Sequence, residues 1–440
     1  MSLSRRGLLP IVRVDSRRGQ RVVARLADRH LEVLPAKLVR RVERIVARVR
    51  SGGDAALLDL VRRLDHPAGE ASAPRSIDAV RLPLGDPAVE GRELSDERLD
   101  AVHRAIEAVV EYHREQTHAG FVHSADGVRL EERRRPLARV GCYVPGGRAS
   151  YPSTAIMTVV PACVAGVGEV VVVTPPGSFS PTLRYTLARL GVDEVWGMGG
   201  AHAVAALAYG TASLRRVDKI VGPGNAWVTA AKRLVAGDVG IDGIAGPSEV
   251  VIAADGDADP ALVAADLLAQ AEHDPRAAAL LITTDRRLAV AVERELEAQL
   301  AALPTAETAR RSLASFGHAL LVADADAALA LIEELAPEHL QLVGTAMEGL
   351  ADRVDRAGAI FVGAETGEVF GDYVAGPSHV LPTGGSARFA SGLGVDDFVR
   401  RSHVVRLSAA AAARLAGPAA ELADAEGLPA HAAAAGRRSG

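Results

Sequence analysis

Glu169-Val170-Val171-Val172-Val173, closed by the turn Pro175-Pro176-Gly177 and followed by helical spacing over 181–190, is the stretch whose reading decides the fold. A short valine run bounded by Pro and Gly reads as a strand, and the same unit recurs along the chain. Strands are predicted at 194–198 and 217–221, the turns Gly199-Gly200 and Gly222-Pro223-Gly224 follow them, and helices are predicted over 201–209 and 226–236. Upstream, Tyr143-Val144-Pro145-Gly146-Gly147 forms a turn ahead of a helix over 154–166. Short Val-rich strands alternating with helices indicate a parallel sheet covered on both faces. Strand ends that meet glycine turns and helix N-termini are where such sheets hold phosphates and nucleotides. Neither a Gly-x-Gly-x-x-Gly fingerprint nor a Walker A sequence is present, so a doubly wound domain without a nucleotide stays open from these residues alone.

Working outward, a second α/β pattern begins after Gly246-Pro247-Ser248-Glu249. It reads as strands at 250–253, 278–283, 319–322, 340–343 and 359–362, with helices over 285–302 and 326–335 and one that ends in Gln270–His273. On the N-terminal side, residues 1–30 read as an arm with a short helix from Gly19 to His30. Helices follow over Pro35–Leu64, broken at Ser51-Gly52-Gly53, and over Asp96–Thr117, with strands between Val128 and Tyr143. Segment 65–95 reads as irregular, 364–385 as a Gly/Pro/Ser-rich loop, and the tail from 386 as helical. The expected fold is α/β, with two Rossmann-like doubly wound domains plus small helical N- and C-terminal segments. The long helices on both sides group 31–142 with 247–385 as one discontinuous domain, interrupted by 143–246 and followed by a tail over 386–440.

Composition narrows the function. At 440 residues the chain is too long for one core. A hydrophobic fraction of 48% and a charged fraction of 24% are ordinary for a soluble globular protein. A net charge of −5 gives no electrostatic case for nucleic acid. Cys142 and Cys163 alone provide neither a disulfide framework nor a thiolate zinc site, which fits a reducing, cytoplasmic compartment. No apolar segment of signal-peptide length precedes Arg13, and the uncharged run 149–168 contains Pro152 and Pro161 and reads as a loop and a core helix, not a membrane span.

Chemistry concentrates in a few places. Asp259 caps and Pro260 starts a helix that Pro275 stops, and Gln270 and His273 project from one face near its end. Such a pair is half of a metal site, or else a hydrogen-bonding pair on a solvated helix end. Asp372 and His379 occupy the long loop, where a carboxylate and an imidazole point to a site. Glu338 and His339 lie between a helix and a strand, and adjacent side chains diverge, so they would serve two different protons. Glu426 and His431 lie in the tail, and Ser248 is either a hydroxyl contact or a turn residue. Gln270, His273, Asp372 and His431 supply N and O ligands without a thiolate, a set suited to zinc or manganese.

With these stretches in order, the chain resembles the histidinol dehydrogenase family over nearly its whole length. The resemblance rests on Tyr143–Gly147, Tyr151-Pro-Ser-Thr154, Gly199-Gly-Ala201, Gly222-Pro-Gly-Asn225, Gly246-Pro-Ser-Glu249, Gln270-Ala-Glu-His273, Pro337-Glu-His-Leu340, Gly371-Asp-Tyr373, His379-Val-Leu-Pro382 and the spaced Glu426 and His431. It implies an NAD-linked, zinc-dependent oxidation of L-histidinol through L-histidinal to L-histidine. Gln270, His273, Asp372 and His431 then match the zinc ligands, one zinc per subunit, and also contact substrate. Glu338 and His339 match the catalytic pair, with His339 touching substrate; Ser248, His379 and Glu426 match residues around it. Tyr143, Asn225 and the position of His202 match nucleotide contacts. It also implies a homodimer whose C-terminal segment crosses to the partner. Departures from the family's usual residues are His202 for Gln, Thr158 and Cys163 in the helix after Tyr151, Gly243-Ile244 for Met-Pro, and Ser378 for Asn. A family paralogue acting on another small alcohol, and a zinc hydrolase in which Glu338 activates water, are the alternative functions.

Overall fold

The computed structural model describes residues 7–29, 34–66, 73–147 and 149–439. Residues 1–6 and His30 of the expected arm lie outside the described residues. Two six-stranded sheets and a three-stranded ribbon organise the rest.

The first sheet runs in the order Arg81–Leu82, Glu194–Gly197, Glu169–Thr174, Arg139–Tyr143, Lys219–Val221, Gly240–Ile241. All neighbours are parallel except the edge strand Arg81–Leu82. The valine run alternates between two cores. Val171 and Val173 join the layer of helices Ala36–Leu64, Gly200–Tyr209 and Ala226–Val235, while Val172 joins the layer of Pro152–Val164 and Pro181–Arg189. That period of two, apolar on both sides, is why the strand reads as a continuous valine run. The strand order reverses between Arg139–Tyr143 and Lys219–Val221, which opens a crevice at their carboxyl ends. Gly222 closes that point: its φ is +110°, and a Cβ there would lie 2.2 Å from the Tyr143 carbonyl oxygen, so no other residue fits.

The second sheet is entirely parallel, in the order Ile11–Arg13, His318–Leu321, Ala278–Thr283, Glu249–Ala254, His339–Val343, Ala359–Val362. Val250, Ile252 and Ala254 pack under helices Pro260–Ala271, Arg286–Leu300 and Ala306–Phe316. Val251 and Ala253 pack under Arg17–Ala27 and Ala325–Leu335. The helix leading to Gln270 forms as read: the Asp259 side chain accepts from Ala261 N, and Pro260 occupies the first turn.

Three expectations change. Ala36–Leu64, Asp96–Glu115 and Arg139–Tyr143 pack with the first sheet, not the second. Arg139–Tyr143 is an inner strand of the first sheet, and Ala36–Leu64 places Val42, Val46, Val49, Leu57, Leu60 and Val61 in its core. Asp96–Glu115 lies on Pro152–Val164 through Ala105, Val109, Ile156 and Val160. Helix length does not encode which sheet a helix covers. What the second sheet takes from the N-terminus is Ile11–Arg13 and Arg17–Ala27. The tail is not wholly helical either: Val399–Leu407 pairs antiparallel along Val128–Pro136, which in turn pairs with Val122–Ala125. Helices Ala409–Ala425 and Pro429–Gly436 follow, separated at Gly427 with φ +71°. The loop 364–385 contains a short helix, Glu368–Tyr373. The break expected in the first long helix is present as a kink at Gly53.

Candidate functional site

The two sheets face one cleft of about 1270 Å³. From the first sheet come carboxyl ends: Tyr143, Gly199-Gly200 and the Gly222–Asn225 turn. From the second come amino ends: Ser248 precedes the strand Glu249–Ala254, and Glu338 precedes His339–Val343. Gln270 and His273, at the end of Pro260–Ala271, line the same cleft, as do Asp372 and His379 from the long loop.

On the first-sheet side, helix N-termini and glycine turns are held by buried polar groups. The Tyr143 hydroxyl accepts from Gly200 N at 2.9 Å, and burial pushes its pKa up to about 12, so it stays neutral. His202 is 1% exposed and bonds Asp65 Oδ2 at 2.8 Å; the same oxygen accepts from Gly199 N at 3.2 Å. His202 therefore fastens the Gly199-Gly200 turn from inside while still lining the cleft. Asn225 caps the helix Ala226–Val235, its Oδ1 accepting from Trp227 N at 2.9 Å. Sequence reading missed Lys232 and Asp242, a buried ion pair. Lys232 Nζ donates to the Gly222 carbonyl at 3.1 Å and Asp242 Oδ2 accepts from Gly222 N at 2.6 Å, so the pair fixes the turn from both sides.

On the other side, Glu338 and His339 are each 5% exposed. Both engage the backbone of Glu249, at different atoms, and His339 Nδ1 lies 3.8 Å from Glu338 Oε2. Glu338 Oε2 accepts from Glu249 N at 2.9 Å, whereas His339 Nδ1 meets the Glu249 carbonyl at 3.2 Å. A carbonyl only accepts, so His339 carries its proton on Nδ1 and presents Nε2, 3.7 Å from Asp372 Oδ1, as the other ring nitrogen. Burial pushes Glu338 up to about 7. Burial pulls His339 down, but the negative charges of Glu368, Glu338 and Asp372 outweigh it and carry His339 up to about 10. Asp372 is also desolvated, yet its bond to His339 and the nearby His379 hold it below the usual carboxylate range. His379 donates from Nδ1 to the Asp372 carbonyl at 2.8 Å, and burial lowers its pKa.

Among the described residues, two buried side chains of this pocket have no hydrogen-bond partner on any of their polar atoms. Gln270 is 0% exposed, and neither its Oε1 nor its Nε2 is bonded. Glu368, which sequence reading passed over as loop, is 2% exposed with both oxygens unbonded, and burial pushes it up to about 8. Only a sequence reading that recognised the short helix Glu368–Tyr373 could have set Glu368 on the same element as Asp372. Gln270, His273 and Asp372 could hold a cation. Among the described residues, no group of three or more His, Cys, Asp and Glu side chains forms a metal cluster within one chain. Glu426 and His431 are exposed on the tail and do not line the cleft. Cys142 is buried and Cys163 is exposed, and both are free thiols. No helix among the described residues is long and apolar enough to cross a membrane.

Comparison with known proteins gives one answer across most of the chain. Residues 29–439 match the family model described as histidinol dehydrogenase. A histidinol dehydrogenase of Geobacter sulfurreducens is 47% identical over 390 residues, covering 88% of this chain and 90% of the relative. One of Moorella thermoacetica is 48% identical over 396 residues, covering 89% of this chain and 92% of the relative. Among solved structures, histidinol dehydrogenase from Elizabethkingia anophelis superimposes with a TM-score of 0.88 at 29% identity, covering 99% of this chain and 98% of that one.

Proposed function

The chain belongs to the histidinol dehydrogenase family and is an oxidoreductase; from that premise we propose that it oxidises L-histidinol through L-histidinal to L-histidine with two NAD, the last two steps of L-histidine synthesis. The observation that carries this reading is the single cleft. It joins strand ends and helix N-termini suited to a dinucleotide with a buried acid–base pair, Glu338 and His339. A zinc hydrolase using Glu338 alone would leave the glycine turns of the first sheet without a role.

Zinc fits the residues present. An amide with two unbonded buried atoms, Gln270, costs stability unless something binds it, and a carboxylate cluster with His339 as its buried counter-charge favours an added cation. Gln270, His273, Asp372 and the partner subunit's copy of the tail imidazole His431 would hold the ion, and the ion would orient the imidazole and amine of the substrate. NAD accepts a hydride in each of the two oxidations. The chain's own residues handle the protons. His339, fixed through Nδ1 by the Glu249 carbonyl, takes the substrate hydroxyl proton at Nε2. Two positive charges at Gln270, His273 and Asp372 would offset the carboxylates that otherwise hold this imidazole protonated. Glu338, with its pKa raised to about 7 by burial, acts as the carboxylate that takes a proton from water attacking the aldehyde carbon, and His339, once its first proton has passed to solvent, takes the second alcohol proton. Ser248, His379 and Glu426 would contact the substrate, and Tyr143, His202 and Asn225 would stand by the nucleotide, the buried His202 through the turn it fastens.

A homodimer with exchanged tails is supported by what one chain leaves open. The ribbon and tail expose Phe121, Val122, Leu130, Val405, Leu407, Leu415, Leu422 and Leu428, an apolar surface of the kind a second copy covers. In this reading residues 34–246 form the nucleotide-binding body, 247–385 with the N-terminal arm the metal-bearing body, and the tail completes the neighbour's site, in a cytoplasmic enzyme. The test is NADH formation from purified, zinc-loaded protein given L-histidinol and NAD. Rapid zinc-dependent turnover is expected. No turnover with L-histidinol, but turnover with another small amino alcohol, would make the chain a paralogue.

A further inference from the structure

Behind the catalytic pair lies a buried ion pair that the reaction itself does not use. Arg29, 6% exposed, follows the helix Arg17–Ala27, and Glu249, 8% exposed, opens the strand Glu249–Ala254. Arg29 Nη1 lies 3.1 Å from Glu249 Oε2. Its Nη2 donates to the carbonyls of Pro247 at 2.7 Å and Ser248 at 3.2 Å, and its guanidinium covers the Phe316 ring at 5.3 Å. The second Glu249 oxygen accepts from Gly384 N at 3.0 Å. The backbone of this same residue holds both catalytic side chains: its N–H donates to Glu338 Oε2, and its carbonyl takes the Nδ1 proton of His339.

We propose that Arg29 and Glu249 are positioning residues: their ion pair clamps residues 247–249 so that one peptide segment sets the Glu338 carboxylate and the His339 ring together. A buried ion pair is a poor way to gain stability, because well-packed apolar residues usually do as well or better. Its fixed contacts to one backbone segment make sense as orientation. Glu249 also ties that segment to Gly384 of the long loop that carries Asp372, so the catalytic pair and that loop share one anchor. The consequence for catalysis rests on the function proposed above; the geometry does not.

The test compares wild type, Arg29→Lys and the double variant Arg29→Met/Glu249→Gln, all zinc-loaded. The double variant removes the ion pair without stranding one buried charge, and the Glu249→Gln change keeps an acceptor oxygen for Gly384 N. It is expected to lose roughly tenfold to a hundredfold in kcat for both oxidations, as small misplacements of reacting groups do. KM for L-histidinol should stay within about threefold, since of the proposed substrate contacts only Ser248 lies in the clamped segment, whereas Gln270, His273, Asp372 and His379 lie outside it. Zinc content and melting temperature should be retained, and Arg29→Lys should recover part of kcat. Unchanged kcat in the folded double variant overturns the inference, as does a loss that only follows the unfolded fraction across the series. If wild type does not oxidise L-histidinol, the proposed function fails, while the crystal structure of the double variant still decides the clamp. Glu338 and His339 displaced from the Glu249 backbone support it, and unmoved side chains overturn it.

Discussion

Replacing Gln270 by methionine separates a metal ligand from a structural amide. The Gln270 side chain is 0% exposed and neither polar atom has a protein partner. Each unpaired buried polar group costs about 1–3 kcal/mol, so the two atoms together cost at least about 2 kcal/mol in metal-free protein. Methionine is unbranched, of similar length and without those polar atoms, and it adapts to irregular space. Metal-free Gln270→Met should therefore be more stable than metal-free wild type by about 2 kcal/mol, which raises the melting temperature by about 4 °C or more in domains of this size. The zinc-loaded comparison should reverse, because wild type gains binding energy that the variant lacks. Thermal melts with chelator and with zinc, alongside metal content, measure both halves. A metal-free variant that melts at or below wild type would refute the reasoning, as would full zinc occupancy in the variant.

His339→Asn should slow both oxidations by about 10²–10⁴-fold, the usual worth of a positioned base, with zinc retained; zinc loss in that variant would contradict its assignment. Glu338→Gln should impair aldehyde oxidation more than alcohol oxidation, and equal loss measured with L-histidinal and L-histidinol as separate substrates would argue against water activation. Mixing His339→Asn chains with His431→Ala chains should restore activity up to about a quarter of wild type, because each mixed dimer has one intact site when tails are exchanged; no recovery in verified mixed dimers would place the tail in its own chain's site. In metal-free protein, Glu338, Glu368 and His339 all bind protons more tightly folded than unfolded, at about 7, about 8 and about 10. Their stabilisation is complete at the acid side and is lost as pH rises through those values, so urea midpoints should fall between about pH 6 and pH 9. A rising midpoint would contradict that sign.

How far the sequence could be read follows from the range of each signal. The valine run 169–173, the Asp259–Pro260 helix start and the Gly222 turn are local, and each forms as read because capping, strand burial and steric closeness act within a few residues. Packing partners are not local. Nothing in the periodicity of Ala36–Leu64 says which sheet it covers, and Val399–Leu407 becomes a strand by pairing with Val128–Pro136, far earlier in the chain. The metal and catalytic candidates were legible as motifs, and Gln270, His273, Asp372, Glu338 and His339 do share one cleft. Glu426 and His431 do not line it within the chain; in the proposed dimer they would complete the neighbour's site, an arrangement that has no signature in one chain's geometry. Glu368 and Lys232 were missed because single charged residues in ordinary contexts become informative only once their burial is known.

The stoichiometry of the complete reaction decides whether one site carries out both oxidations. Purified, zinc-loaded protein is given a limiting amount of L-histidinol with excess NAD, and NADH and L-histidine are measured at the end point. Two NADH should form for each L-histidine, with little free aldehyde. One NADH per L-histidinol consumed, with aldehyde accumulating, would contradict that expectation, because Glu338 and His339 would then serve only the alcohol step.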